Sequence, residues 1–190
     1  MSKHVAAADA EASRRLFLGI EMPESVQASL AAIRPDLPGA QWQWPADLHL
    51  TLRFLGAVPD GLGARISEAV QGIDVPQFEL QLAGVGHFGY RVLWAGVASD
   101  AELQAFRHRL DNRLAPLGFG PDQADFVPHV TLARTRRSPR LALEQFLAEH
   151  RHLRLPGWRI THLSLFSSEP VSSGPVYRVV ERFALAKALA

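Results

Sequence analysis

The chain has 190 residues, 47% hydrophobic and 21% charged, a balance that suits one ordinary globular domain or one domain built of two similar lobes. With 20 basic and 19 acidic residues the formal charge is +1, so any contact with nucleic acid must be local and not a general basic coat. Cysteine is absent, which removes disulfides, thiolate metal sites and a cysteine nucleophile together. No apolar run approaches membrane-spanning length, and the N-terminal residues lack the apolar centre of a signal peptide, so the expectation is a cytoplasmic enzyme or binding module.

Residues 1–13 are Ala-rich and polar and read as a frayed tail, which leaves 14–190 as the folded domain. Residues 14–21 (RRLFLGIE) read as a buried strand, and Pro23-Glu24-Ser25 opens a helix to about Ile33 with Val26, Leu30 and Ile33 as its apolar positions. A short alternating run, 41–44, precedes Pro45 and a strand beginning at His49. A second helix spans about 62–71, with Leu62, Ile66, Ala69 and Val70 on one side. Residues 78–85 and 91–97 read as two strands joined by a glycine-rich bend over 84–90. Ser99-Asp100 is expected to cap a helix over about 101–117, closed by Gly118. A strand at His129 follows, then an arginine-rich turn over 135–140, a helix over about 141–149, and strands over 158–167 and 176–185. The second half thus repeats the core of the first: helix, histidine strand, helix, two strands. This order predicts an α+β architecture, with mixed or antiparallel sheets and the helices outside.

The two histidine strands carry the chemistry. His49-Leu50-Thr51-Leu52-Arg53-Phe54-Leu55-Gly56 returns in part as His129-Val130-Thr131-Leu132-Ala133-Arg134. Side chains two apart on a strand share a face, so His-x-Thr sets an imidazole beside a hydroxyl and turns the intervening apolar residue away. The chain holds 8 His, 4 Thr and 26 Leu. A shuffled chain of that composition gives about 0.02 matches to His-x-Thr-Leu, so two by accident is roughly a one-in-a-few-thousand event. His162-Leu163-Ser164-Leu165 is a looser third match. It lacks the proline-marked entry of the other two (Pro45, Pro128) and the arginine that follows each (Arg53, Arg134), and it reads as a strand histidine near the core or rim.

Two such strands brought together point two imidazoles and two hydroxyls into a phosphate-sized space. Opening a cyclic phosphodiester with water needs a base for the water and an acid for the departing oxygen, and histidine titrates in the range where one residue type can serve as both. In-line attack sets acid and base on opposite sides of phosphorus, which suits histidines from different strands. Thr51 and Thr131 would donate to the non-bridging oxygens, and Arg134, at the end of its strand, would take up developing charge without a metal. Arg136, Arg137 and Arg140 extend a local basic stretch toward an RNA backbone. Arg53, two residues past Thr51, is expected on the face of His49. Trp42, Trp44, Phe88 and Tyr90 are candidates for stacking on a base, Phe54 and Trp94 are expected in the core, and His87 reads as a loop histidine.

HLTLRFLG and PHVTLAR resemble the paired HXTX signatures of the 2H phosphoesterase superfamily, and most closely its RNA 2′,3′-cyclic phosphodiesterases, also called 2′-5′ RNA ligases. RRLFLGIEMPESV, GHFGYRVLWAGV and GPVYRVVERF extend the resemblance over roughly residues 14–185. It implies a bilobal, pseudo-two-fold fold around a central cleft between paired antiparallel sheets. It also implies a hydrolase, without metal or other cofactor, that converts an RNA 2′,3′-cyclic phosphate end, tRNA-like fragments among them, into a 2′-phosphomonoester. Some members also form 2′-5′ linkages in reverse. The same resemblance implies that His49 is the proton donor, that His129 is the acceptor, and that Thr51, Thr131 and Arg134 contact phosphate. A monomer with no obligate protein partner and no membrane attachment is expected. The alternatives are a small cyclic phosphate or a 2′-5′-ligated RNA as substrate, and a non-catalytic RNA-end or nucleotide binder. Zinc is the weaker competitor, since two histidines without a carboxylate pattern are few ligands.

Overall fold

Burial alternates at the start of both histidine strands, while the strand beside the first of them is buried on both faces. In the computed structural model, which describes residues 13–120, 125–171 and 174–187, the strands are β1 (Ser13–Glu21), β2 (Ala40–Trp42), β3 (His49–Pro59), β4 (Phe78–Leu80), β5 (Leu82–Phe88), β6 (Val92–Val97), β7 (Val130–Thr135), β8 (Trp158–Ile160), β9 (His162–Val171) and β10 (Gly174–Ala184). The α-helices are α1 (Glu24–Ala32), α2 (Asp60–Val70), α3 (Ala101–Leu114) and α4 (Arg140–His150). Eight strands form one antiparallel sheet in the order β10-β9-β1-β3-β7-β6-β5, with β2 beside β7, while β4 and β8 make a separate pair.

The seam between β3 and β7 is held by a single pairing, Leu50 with Val130, so the two histidine strands diverge on either side of it. Two wings result, and the chain exchanges strands between them. β5 and β6 follow β3 in sequence yet flank β7, whereas β9 and β10 follow β7 yet lie beside β1 in the wing of β3. The α+β architecture expected from the element order is the one observed.

Leu50 and Leu52 of β3 and Val130 and Leu132 of β7 turn away from the cleft and are at most 2% exposed. They join one core with Leu30 of α1, Ile66 of α2, Leu103, Phe106 and Leu110 of α3, and Phe146 of α4. Each such fully buried side chain contributes roughly 1.5–3 kcal/mol relative to exposure. The helices are thereby fixed to one face of the sheet, and the other face is left for the site.

Several expectations are corrected. The runs over 78–85 and 158–167 each break, at Gln81 and Thr161, because their first parts pair with each other as β4 and β8 before the chain enters the main sheet. At each break the carbonyl stays satisfied: Ala98 N–H donates to Gln81 and Leu185 N–H to Thr161, both at 2.9 Å. The glycine-rich bend shrinks to Gly89-Tyr90, whose φ values of 55° and 57° suit a tight primed hairpin turn that lets β5 continue to Phe88. Asp100 does not cap α3 through its side chain; its carboxylate accepts from the Gln104 amide at 3.1 Å instead. Ser13 belongs to β1, and the rest of the tail, 1–12, lies outside the described residues.

Candidate active site

The same irregularity shapes both histidine strands. Thr51 pairs with Gly19 and Arg53 with Leu18, so Leu52 is an extra residue in the β1–β3 ladder. Thr131 pairs with Trp94 and Ala133 with Leu93, so Leu132 is its counterpart in β6–β7. A bulge of this kind resets the alternation beyond it. The residue four past each histidine (Arg53, Ala133) is therefore buried, and the residue five past (Phe54, Arg134) returns to the cleft side. Arg53 is 7% exposed and pairs with Asp111 of α3 at 3.0 Å, while Phe54 is 66% exposed. The expectations for both are overturned: Arg53 serves the core face and Phe54 lines the cleft.

Antiparallel pairing at Leu50 and Val130 sets His49 across from Thr131 and Thr51 across from His129. Each ring is tied back to its own chain. His49 Nδ1 lies 2.7 Å from the Asp47 carbonyl oxygen, and His129 Nδ1 lies 2.8 Å from that of Val127. A carbonyl only accepts, so Nδ1 carries the hydrogen in both rings, and each neutral imidazole keeps its Nε2 lone pair for the cleft.

Aromatic rings wall both histidines. His49 packs against Phe17 at 4.8 Å and Phe166 at 5.5 Å between centroids, and against Tyr177 edge-on at 4.7 Å. Phe88 meets His129 edge-on at 4.9 Å, with Trp94 at 6.2 Å. Two glycines permit this packing: a Cβ on Gly19 would stand 2.6 Å from the Leu50 carbonyl oxygen, and one on Gly86 would stand 2.3 Å from the Trp94 indole. Burial pushes His49 down to about 4, reinforced by the neighbouring His129 and opposed by the Asp47 carbonyl. His129 is lowered by burial against the Val127 carbonyl. Both imidazoles are therefore neutral at pH 7 in the free protein.

Arg134 reaches from β7 across the seam to Tyr177 of β10. Its guanidinium hydrogen-bonds the phenol oxygen and opposes the rise that burial imposes on that hydroxyl. The backbone N–H of Tyr177 donates to Asp47, whose carboxyl is raised by burial. A cavity of about 370 Å³ is lined by Phe17, Phe54, Arg134 and Tyr177, and an adjoining one of about 270 Å³ by Trp44, Asp47 and Arg134.

His49, His129, Thr51, Thr131 and Arg134 thus gather at one seam. His162 does not join them; it lies in a separate hollow with Glu21, Ser164 and Arg182. Of the stacking candidates, Phe88 reaches His129 and Trp44 stands 74% exposed at the rim. Trp42 packs on Phe146, and Tyr90 stacks on His87 beneath Arg140. Trp94, expected in the core, underlies His129. Tyr177, Phe17 and Phe166 escaped sequence reading, because nothing local distinguishes them from core aromatics; the GPVYRVVERF stretch held the one usable signal, in Tyr177. Among the described residues no three His, Asp or Glu side chains converge in a way that would hold a metal. The site offers two proton-transfer groups, two hydroxyl donors, one fixed cation and aromatic walls.

A family model described as the 2'-5' RNA ligase superfamily matches residues 22–171. An RNA 2',3'-cyclic phosphodiesterase of Methanothermobacter thermautotrophicus is 31% identical over 183 residues, which cover 90% of this chain and 98% of that protein. One of the same name from Aeropyrum pernix is 34% identical over 140 residues, 70% of this chain and 80% of its own. The crystal structure of TT0787 of Thermus thermophilus superposes with a TM-score of 0.75 at 26% identity, covering 92% of this chain and all of that one. The match spans both histidine strands and the seam between them, and the chain belongs to the 2'-5' RNA ligase superfamily.

Proposed function

We propose that this protein opens the 2′,3′-cyclic phosphate at an RNA end with water, leaving a 2′-phosphomonoester and a free 3′-hydroxyl. The observation that carries this reading is the pair of tied-back imidazoles, one on each side of the Leu50–Val130 seam, each facing the threonine of the other strand. The names of the relatives supply the substrate class. Water attacks phosphorus as His129 Nε2 takes its proton, the P–O3′ bond breaks, and His49 Nε2–H protonates the departing O3′. Thr51 and Thr131 donate to the non-bridging oxygens and Arg134 balances their charge. His49 enters this cycle protonated because the bound phosphate's negative charge raises it from the low value that burial imposes on the free protein. With the 5′-hydroxyl of a second RNA in place of water as the nucleophile, the same groups form a 2′-5′ linkage as the P–O3′ bond breaks, and in the reverse direction they cleave it. We place the reaction in the cytoplasm, in a monomeric protein with a single folded domain that opens with β1 at Ser13; among the described residues no helix is long and apolar enough to cross a membrane.

The test is incubation with an oligoribonucleotide ending in a 2′,3′-cyclic phosphate, with EDTA present, and identification of the product isomer. A 2′-phosphate is expected; a 3′-phosphate, or turnover that stops with the chelator, overturns the assignment.

A further inference from the structure

Beyond the seam of the two histidine strands, Arg134 also lines a third cavity, of about 610 Å³, together with Arg91, Arg136, Arg137, Arg140 and Tyr90 among others. All five arginines are exposed. Among the described residues that line this cavity none is a carboxylate, and Glu144, which is paired with Arg140 at 2.8 Å, stands beside it. Among the described residues Arg91, Arg136 and Arg137 make no ion pair with a carboxylate. A chain with a formal charge of +1 has thus concentrated unneutralised cations in one groove that opens from its catalytic arginine.

The groove is held in shape from beneath. Arg136 N–H donates to the Gly39 carbonyl at 2.8 Å, and a Cβ on Gly39 would stand 2.2 Å from the Arg136 carbonyl oxygen. The Thr135 hydroxyl donates to the Tyr90 carbonyl, and Thr135 N–H to that of Arg91 at 2.9 Å. Arg137 has a φ of 59°, which turns the chain sharply between the two wall segments, and the Arg140 guanidinium lies 4.7 Å over the Tyr90 ring. Guanidinium groups carried on a backbone held in this way and spaced along a groove suit a run of phosphates.

Building on the reaction assigned above, we propose that this groove binds the RNA phosphodiesters on the 5′ side of the nucleotide that bears the cyclic phosphate. The cyclic phosphate occupies the shared end, at Arg134, and the upstream backbone follows Arg136, Arg137 and Arg91. A polynucleotide end is then a better substrate than a mononucleotide.

The experiment compares a nucleoside 2′,3′-cyclic monophosphate, which has no upstream phosphate, with a hexanucleotide ending in the same group. These are given to the wild-type chain and to the Arg136→Ala/Arg137→Ala variant. The wild-type protein is expected to favour the hexanucleotide in kcat/KM. The variant loses about tenfold or more on it, and its log–log salt slope flattens by about 1.4, the loss of two single-strand phosphate contacts. Turnover of the mononucleotide stays unchanged, which also reports that the variant is folded. Equal losses on both substrates, or none on the hexanucleotide, overturn the proposal. If the wild-type protein turns over neither, the assigned reaction fails, and binding of a labelled hexanucleotide with a 2′-phosphate end then decides the groove. Salt-sensitive affinity that falls in the variant supports it; affinity that does not change overturns it.

Discussion

A histidine buried among Phe17, Phe166 and Tyr177, tied by Nδ1 to a carbonyl and held down to about 4, resists protonation until an anion arrives. That has a consequence for pH dependence. kcat/KM reports the free protein, in which both His49 and His129 lie below the ordinary imidazole value of about 6.5, so its bell is expected to peak on the acid side of that value. kcat reports the complex, where the phosphate raises His49, so its optimum should move to higher pH. Coincident profiles centred above 6.5 would contradict the account. The residues gathered at the seam were legible: His49, Thr51, His129 and Thr131 repeat at fixed offsets, and Arg134 closes the second run. Tyr177 was not, because its role comes from a hydroxyl that meets Arg134 across the seam, a meeting no local pattern records.

At the scale of the strand, a single extra residue decides which side chains reach substrate. Period-two alternation places Arg53 beside Thr51, and the bulge at Leu52 sends it instead to Asp111 and brings Phe54 to the cleft. The matching bulge at Leu132 brings Arg134 to the equivalent place, so one wing offers an aromatic ring where the other offers a cation. Neither bulge is visible in the sequence, since both residues are leucines that fit an unbroken strand. Gly19 is the support for this geometry. Gly19→Ala sets a Cβ against the backbone of Leu50, and is expected to cost about 1–3 kcal/mol and to lower turnover as β1 moves from β3. Gly63, inside α2 with open space around it, is the control: Gly63→Ala is expected to stabilise by about 0.5–1 kcal/mol. Chemical denaturation of both variants measures this. A neutral Gly19→Ala would remove the close approach from the account.

Across the whole molecule the repeated order of helix, histidine strand, helix and two strands was legible, and with it the α+β class. The exchange of β5–β6 and β9–β10 between wings was not, because apolar periodicity says which face of a strand is buried and not which strand lies beside it. This architecture sets one histidine on each wing, and the roles proposed above divide between the wings, with His129 to take the proton of water and His49 to deliver one to the departing oxygen. A substrate whose 3′ bridging oxygen is replaced by sulfur separates these roles, since a thiolate leaves without protonation. Hydrolysis of the oxygen and sulfur substrates by His49→Ala and His129→Ala is therefore the direct measurement. Both variants should be nearly inactive on oxygen, and only His49→Ala should recover on sulfur. Recovery of His129→Ala instead, or of both alike, would contradict the division of labour between the two wings.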